Sequence, residues 1–179
     1  LGIEKVIVQP NGIDLEMFGI HRDKAAARRA LGLPLEERIA VYVGKFYAWK
    51  GLETMVDAAA LLGRDIRIYA VGGDADELQK ISGRKLSEDL TATGAREYGE
   101  MPLWLAAADV LLLFGTRKND YSYLYTSPMK LFEYMASGTP AVVSGTPANR
   151  SIVSEAEVFF YEPDSPESCV EALRYVLSH

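Results

Sequence analysis

Cysteine is nearly missing from this 179-residue chain, in which Cys169 stands alone. One thiol excludes an internal disulfide, so a hydrophobic core rather than covalent staples must hold the fold. Cys169 falls on the apolar face of the last helical segment, which predicts a buried core thiol, and the sparing use of cysteine predicts a cytoplasmic setting. Histidine is as scarce. His21 and His179 lie far apart with no cysteine beside either, so no transition-metal site is legible. Positive charge is also short: 19 Lys and Arg stand against 25 Asp and Glu, a net charge of −6. That balance argues against general nucleic-acid binding, which needs a basic surface, but it leaves room for a local basic pocket. No apolar run approaches the length of a transmembrane helix. The opening LGIEKVIVQP has an acidic residue and lacks the apolar core of a signal peptide. The GxGxxG fingerprint is absent, which argues against NAD or FAD; the Walker A pattern is absent too. The acidic cluster that a flavodoxin-like signalling domain carries at its strand ends is not found.

What is present is alternation. Candidate strands are Ile3–Gln9, Ile39–Val43, Ile66–Val71, Thr91–Ala95, Val110–Phe114, Ala141–Ser144 and Val158–Tyr161. Several are continuous apolar runs, the pattern of a parallel sheet covered on both faces. Helical segments lie between them: Ala25–Leu31, the stripe Leu52, Met55, Val56, Ala59 and Leu62, then Asp74–Ser82 and Pro102–Ala108. In the last helix Ser165 is placed to cap and Pro166 to open a buried face of Cys169, Val170, Leu173, Val176 and Leu177. Strand–helix alternation predicts an α/β fold, a doubly wound Rossmann-like parallel sheet with helices on both faces. Ligands in such folds sit beyond the carboxyl ends of the strands. The chain does not begin with methionine, and Lys5–Val8 reads as a strand entered mid-fold, so a partner domain is expected to precede it.

The most informative stretch is Ser127–Val143, SPMKLFEYMASGTPAVV. Ser127 and Pro128 give a helix start, with serine as cap and proline at the first helical position. Ser137-Gly138 gives the stop. Lys130 falls in the first turn, where a cation opposes the helix dipole unless an anion binds there. Glu133 shares its face. A surface Lys–Glu pair on an ordinary amphipathic helix accounts for the same residues. Lys45 and Lys50, in the loop from Gly44 to Gly51, again put cations at a helix start; two solvated lysines are the plainer account. Gly72-Gly73 after a strand permits close backbone approach, although a tight turn suffices. The polar, tyrosine-rich Gly115–Thr126 reads as a long loop. If Lys45, Lys50 and Lys130 gather at one edge of the sheet, they make a pocket for a diphosphate, with Glu133 able to accept two hydrogen bonds from a ribose diol.

These segments resemble the donor-binding, C-terminal domain of GT-B glycosyltransferases, family 4. The resemblance spans VIVQPNGIDLEMF, VYVGKFYAWKGLETMVDAAALL, IYAVGGDADEL, LTATGAREYGEMPLWLAAADVLLLF and SPMKLFEYMASGTPAVVS followed by NRSIV, all in the family's order. It implies that Lys45 and Lys50 are the basic residues at the donor diphosphate. Ser127, Met129 and Lys130 lie where the family offers backbone N–H groups to phosphate, and Glu133 matches the second glutamate of its Glu-x7-Glu signature, at the ribose. Ala95, Arg96 and Tyr98 fall on the nucleobase side. It also implies a retaining transfer from a nucleotide-diphosphate sugar, with no cofactor and no metal in this domain, and an acceptor-binding N-terminal domain as partner, without which the chain should not turn over. A peripheral membrane association of the full protein stays open. One position departs: the first signature glutamate is replaced by Tyr125, so Tyr121, Tyr123, Tyr125 or Asp120 is left to contact the donor sugar. That substitution keeps a second function open, a nucleotide-sugar binding module without catalysis.

Overall fold

A computed structural model describes residues 11–19 and 23–179. The expected strand Ile3–Gln9, and His21, lie outside the described residues. Six parallel strands form one sheet: β1 Ile39–Val43, β2 Arg67–Val71, β3 Leu90–Ala92, β4 Val110–Leu113, β5 Ala141–Ser144 and β6 Phe159–Tyr161. Their spatial order is β3-β2-β1-β4-β5-β6, so the chain reverses direction across the sheet between β1 and β4.

The alternation of β1 shows why the strands read as unbroken apolar runs. Ile39, Val41 and Val43 pack on one side with Trp104, Leu105, Leu131 and Tyr134; Ala40 and Tyr42 pack on the other with Met55, Leu62, Cys169 and Leu173. Both faces are covered, so neither needs polar residues. The first layer is built by α2 Lys24–Leu31, α5 Met101–Ala107 and α6 Met129–Ser137; the second by α3 Glu53–Leu62, α4 Ala75–Ser82 and α8 Pro166–Ser178. Cys169 is buried as expected, and desolvation pushes its thiol up to about 12. Ser165 caps α8 through the Ser168 amide.

Beneath the sheet's amino ends, buried Arg28 ties three elements together. Its guanidinium donates to the carbonyls of Ala107 (2.9 Å), Leu35 (2.7 Å) and Glu37 (3.0 Å), and to Asp109 Oδ2 at 2.6 Å. Asp109 also accepts from the Ile39 amide and from Lys24 Nζ.

Several boundaries differ from the sequence pattern. The strand expected at Thr91–Ala95 ends at Ala92, because the turn around Gly94 (φ 82°) leaves the ladder and pairs with Gly73 instead. Short helices α1 Leu15–Phe18 and α7 Pro147–Arg150 carry too few residues to show a period. The stretch expected as a loop, Gly115–Thr126, contains a π-helical turn at Tyr121–Tyr125. Such turns are rare and concentrate at functional sites.

Candidate functional site

The carboxyl ends of β1 and β4 flank the point where strand order reverses, the place where doubly wound folds open a crevice. Tyr134 of α6 sits inside that opening. Its hydroxyl accepts from the Val43 amide at 3.2 Å and donates to the Leu112 carbonyl at 3.1 Å, bridging β1 and β4 where their direct pairing stops. This anchor fixes α6 with its amino end over the strand ends.

The start of α6 is not built as the sequence suggested. Pro128 occupies the cap position and Met129 is the first helical residue. Pro128 is itself extended at ψ 118°, so the helix begins one residue later than a serine cap requires and Ser127 stands outside it. Its side chain caps no amide of α6; Ser127 Oγ and the Ser127 carbonyl instead accept from Asn11 Nδ2 at 3.1 and 3.3 Å. The Leu131 amide bonds back to Pro128 O, while among the described residues the Met129 and Lys130 amides have no partner. The stop is as expected, with Gly138 left-handed at φ 71°.

Two cavities meet at Met129 and Lys130. The larger, about 380 Å³, is lined by Gly44, Lys45, Gly72, Ala95, Arg96, Tyr98 and Glu133. The smaller, about 270 Å³, is lined by Tyr42, Trp49, Lys50, Tyr121, Ser127 and Asn149. The structure therefore brings the nucleobase-side and ribose candidates to one side of the α6 terminus. It brings Lys50 and Ser127 to the other. Tyr125 and Asp120 line neither cavity; Tyr125 is 72% exposed, and Tyr121 at the start of the same π-helical turn reaches the smaller cavity in their place.

Backbone shape makes room for this. Gly44 (φ 138°) lies under the Lys130 side chain, and a Cβ there would overlap Lys130 Cε and Nζ. A Cβ on Gly72 (φ 127°) would lie 2.6 Å from the Gly44 carbonyl carbon. Only glycine fits two strand ends this close together.

The electrostatics are unusual. Lys50 donates to the Lys45 carbonyl at 2.7 Å, and its ammonium lies 4.8 Å from the Tyr47 ring centroid and 5.4 Å from that of Trp49. It also sits beside Lys130. Burial lowers the Lys50 ammonium, and the neighbouring Lys130 charge lowers it further, to about 7. Burial lowers Lys130 as well, against the opposing charge of Glu133. Two half-buried cations thus lie side by side at a helix start whose dipole repels both. Lys45, by contrast, is exposed and reaches only the larger cavity. Glu133 is 5% exposed; burial raises its carboxyl, against a 3.1 Å hydrogen bond from the Tyr98 hydroxyl and the charge of Lys130. The ring of Tyr98 packs on Phe18 at 5.5 Å.

Asn11, Trp49 and Asn149 also belong to this neighbourhood and carried no site role in the sequence pattern. Asn11 sits in the quoted PNGID segment and Asn149 opens NRSIV, but no spacing rule links either to α6. Among the described residues, no helix is long and apolar enough to cross a membrane.

A family model described as Glycosyl transferases group 1 matches residues 37–179. The chain is 29% identical over 171 residues to phosphatidyl-myo-inositol mannosyltransferase of Mycobacterium tuberculosis, covering 93% of this chain and 42% of that protein. It superposes on HepE of Anabaena in complex with UDP-glucose with a TM-score of 0.75 at 20% identity, covering 93% of this chain and 46% of the other. It superposes on the C-terminal domain of LpcC, a glycosyl transferase group 1 family protein of Francisella tularensis, with a TM-score of 0.72 at 18% identity, covering 94% and 89%. The chain spans less than half the length of the curated relatives it matches. It belongs to the glycosyl transferases group 1 family.

Proposed function

We propose that this chain is the donor-binding, C-terminal half of a retaining family 4 glycosyltransferase, which takes a nucleotide-diphosphate sugar and passes its glycosyl group to a glycan or lipid-linked acceptor. The observation that carries this reading is the pairing of Lys50 and Lys130 beside the amides of Met129 and Lys130, which have no partner among the described residues. Like charges pressed together at the positive end of a helix are unfavourable unless a polyanion belongs between them. A diphosphate meets both ammonium groups and the amides at once. Glu133 then takes the ribose diol, with Ala95, Arg96 and Tyr98 beside the base. HepE was solved with UDP-glucose, and LpcC shows the same fold as an excised C-terminal domain. Both support the assignment.

During transfer, negative charge grows on the departing diphosphate. The two lysines and the α6 amides are fixed in advance where that charge appears, so they stabilise it without a resident metal. The acceptor and the remaining catalytic groups come from an N-terminal domain across the cleft. Tyr125 at the first signature glutamate favours a second reading, a nucleotide-sugar binding module that does not transfer. Calorimetry with ADP, GDP and UDP tests the shared part: one of them should bind, and binding by none would remove the donor site. Sugar transfer by the chain joined to its N-terminal half separates the two readings.

A further inference from the structure

One edge of the sheet carries a groove that the donor reading leaves without a use. β6 is the last strand in the spatial order, and among the described residues no strand pairs with its outer side. The Gly145 amide donates to the Tyr161 carbonyl at 2.8 Å, so Tyr161 turns its backbone polar groups toward β5. Alternate residues of a parallel strand face opposite neighbours, so Phe160 turns its N–H and C=O outward. A cavity of about 520 Å³ lies along this edge and is lined from both sides of the strand. Arg150 and Phe160 line it on the α7 side; Phe159, Glu171 and Tyr175 line it on the α8 side. Phe159 is 41% exposed and Tyr175 54%, with ring centroids 5.7 Å apart. The two sides differ in charge. On one, the Arg150 guanidinium stacks on the Phe160 ring at 4.1 Å and is balanced by Glu155 at 3.3 Å. On the other, Glu171 is exposed and makes no ion pair among the described residues. Phe159, Phe160 and Tyr161 include neither the charge nor the proline that commonly blunts a sheet edge.

We propose that this groove receives an extended basic segment of a partner protein, which adds to the sheet beside β6. The Phe160 amide and carbonyl set the register of the added strand. Because β6 turns only that residue outward, the side groups of the groove carry most of the affinity. Residues of an added strand alternate between the two sides. Those on the α8 side meet the Glu171 carboxylate and the rings of Phe159 and Tyr175, which favour lysine or arginine through charge and cation–π attraction. Those on the α7 side meet the Phe160 ring and an arginine already balanced by Glu155, which favour an apolar residue. The pattern recognised is therefore basic and apolar in alternation. Charge decides against a second copy of the chain as occupant. Antiparallel pairing of two β6 edges about a twofold axis would set both α8 helices on one side of the sheet and turn their Glu171 carboxylates toward each other.

Fluorescence anisotropy with the full chain tests this at low ionic strength, where surface charge is least screened. The probes are a short labelled peptide of alternating lysine and valine, its glutamate–valine counterpart, and the lysine–valine peptide N-methylated along its backbone. The wild type should bind the lysine–valine peptide, bind the glutamate–valine peptide about tenfold more weakly, and fail to bind the methylated one, which cannot pair with Phe160. Glu171→Lys, a change on the exposed face of α8, should weaken the lysine–valine peptide about tenfold and tighten the glutamate–valine peptide. A wild type that does not bind the lysine–valine peptide would overturn the proposal. So would a methylated peptide that binds as well as its parent, or a Glu171→Lys variant that keeps wild-type affinity for the lysine–valine peptide. Sedimentation of the wild type as a dimer that Phe159→Asp dissociates would put a second copy in the groove and overturn it as well.

Discussion

The hydroxyl of Tyr98 donates a 3.1 Å hydrogen bond to Oε1 of Glu133. Among the described residues Oε2 has no partner, so the carboxylate is oriented with one oxygen held and one available. A ribose diol would complete it. Glu133→Gln should therefore weaken UDP, or whichever nucleoside diphosphate binds, by roughly 1–3 kcal/mol, the scale of a charged hydrogen bond. Inorganic pyrophosphate, which has no ribose, should bind within a factor of two of wild type. Equal losses in calorimetry would take Glu133 out of the ribose subsite.

Proton uptake should accompany diphosphate binding. In the free chain the Lys50 ammonium titrates near 7; an anion beside it favours the charged form and raises it. Above pH 7 the bound state then holds more protons than the free state, so Kd rises with pH. Between pH 7.5 and 9 the rise should approach roughly tenfold per pH unit, the limit for one proton. Nucleotide phosphates are fully ionised over that range and contribute no slope. Calorimetry in buffers of different ionisation enthalpy counts the proton directly. Lys50→Arg keeps its charge at every pH in the range and should flatten the profile.

The paired lysines should oppose stability. Lys130→Met keeps most of the buried stem and removes one of two neighbouring cations. Thermal unfolding of the ligand-free variant should shift upward by about 2–4 °C for each kcal/mol of relieved repulsion. Its diphosphate affinity should fall by roughly 1–3 kcal/mol. A Tm that drops together with an unchanged affinity would make Lys130 a packing residue.

At the other end of the sheet, Asp109 carries a structural charge. Burial pushes its carboxyl up, but hydrogen bonds from Lys24, the Ile39 amide and Arg28 together hold it below 3.8. Because the folded value is the lower one, its stabilisation is present above 3.8 and is lost as pH falls through the folded value. Asp109→Asn leaves the buried Arg28 charge uncompensated and should cost about 3–5 kcal/mol in urea unfolding at pH 7. Nucleotide binding by the folded fraction should not change, since the residue lies at the opposite ends of β1 and β4.

Much of the architecture was legible because it depends on local rules. Continuous apolar strands between amphipathic helices allow little but a covered parallel sheet, and five of the six observed strands were placed to within a residue or so. The Gly138 stop and the Ser165 cap are set by their own neighbours. The misplaced features share a cause. By its sequence Ser127 is a cap for α6, yet Pro128 takes the cap position and the distant Asn11 engages the Ser127 hydroxyl. The apolar pattern runs on to Ala95, but the third strand ends at Ala92 because Gly94 turns to meet Gly73, a pairing invisible to periodicity.

By itself, the order of residues determined the fold class, the buried faces and which lysines and carboxylate lie near strand ends, since hydrophobic period and chain punctuation act over a few positions. Only the tertiary structure decided that Lys50 meets Lys130 while Lys45 stands apart, that Tyr121 rather than Tyr125 faces the crevice, and that Asn149 joins them. Lys50 lies 71 positions from Tyr121, 80 from Lys130 and 99 from Asn149, and what brings them together is the register of β1 against β4 and the anchoring of α6 by Tyr134 in the gap between them.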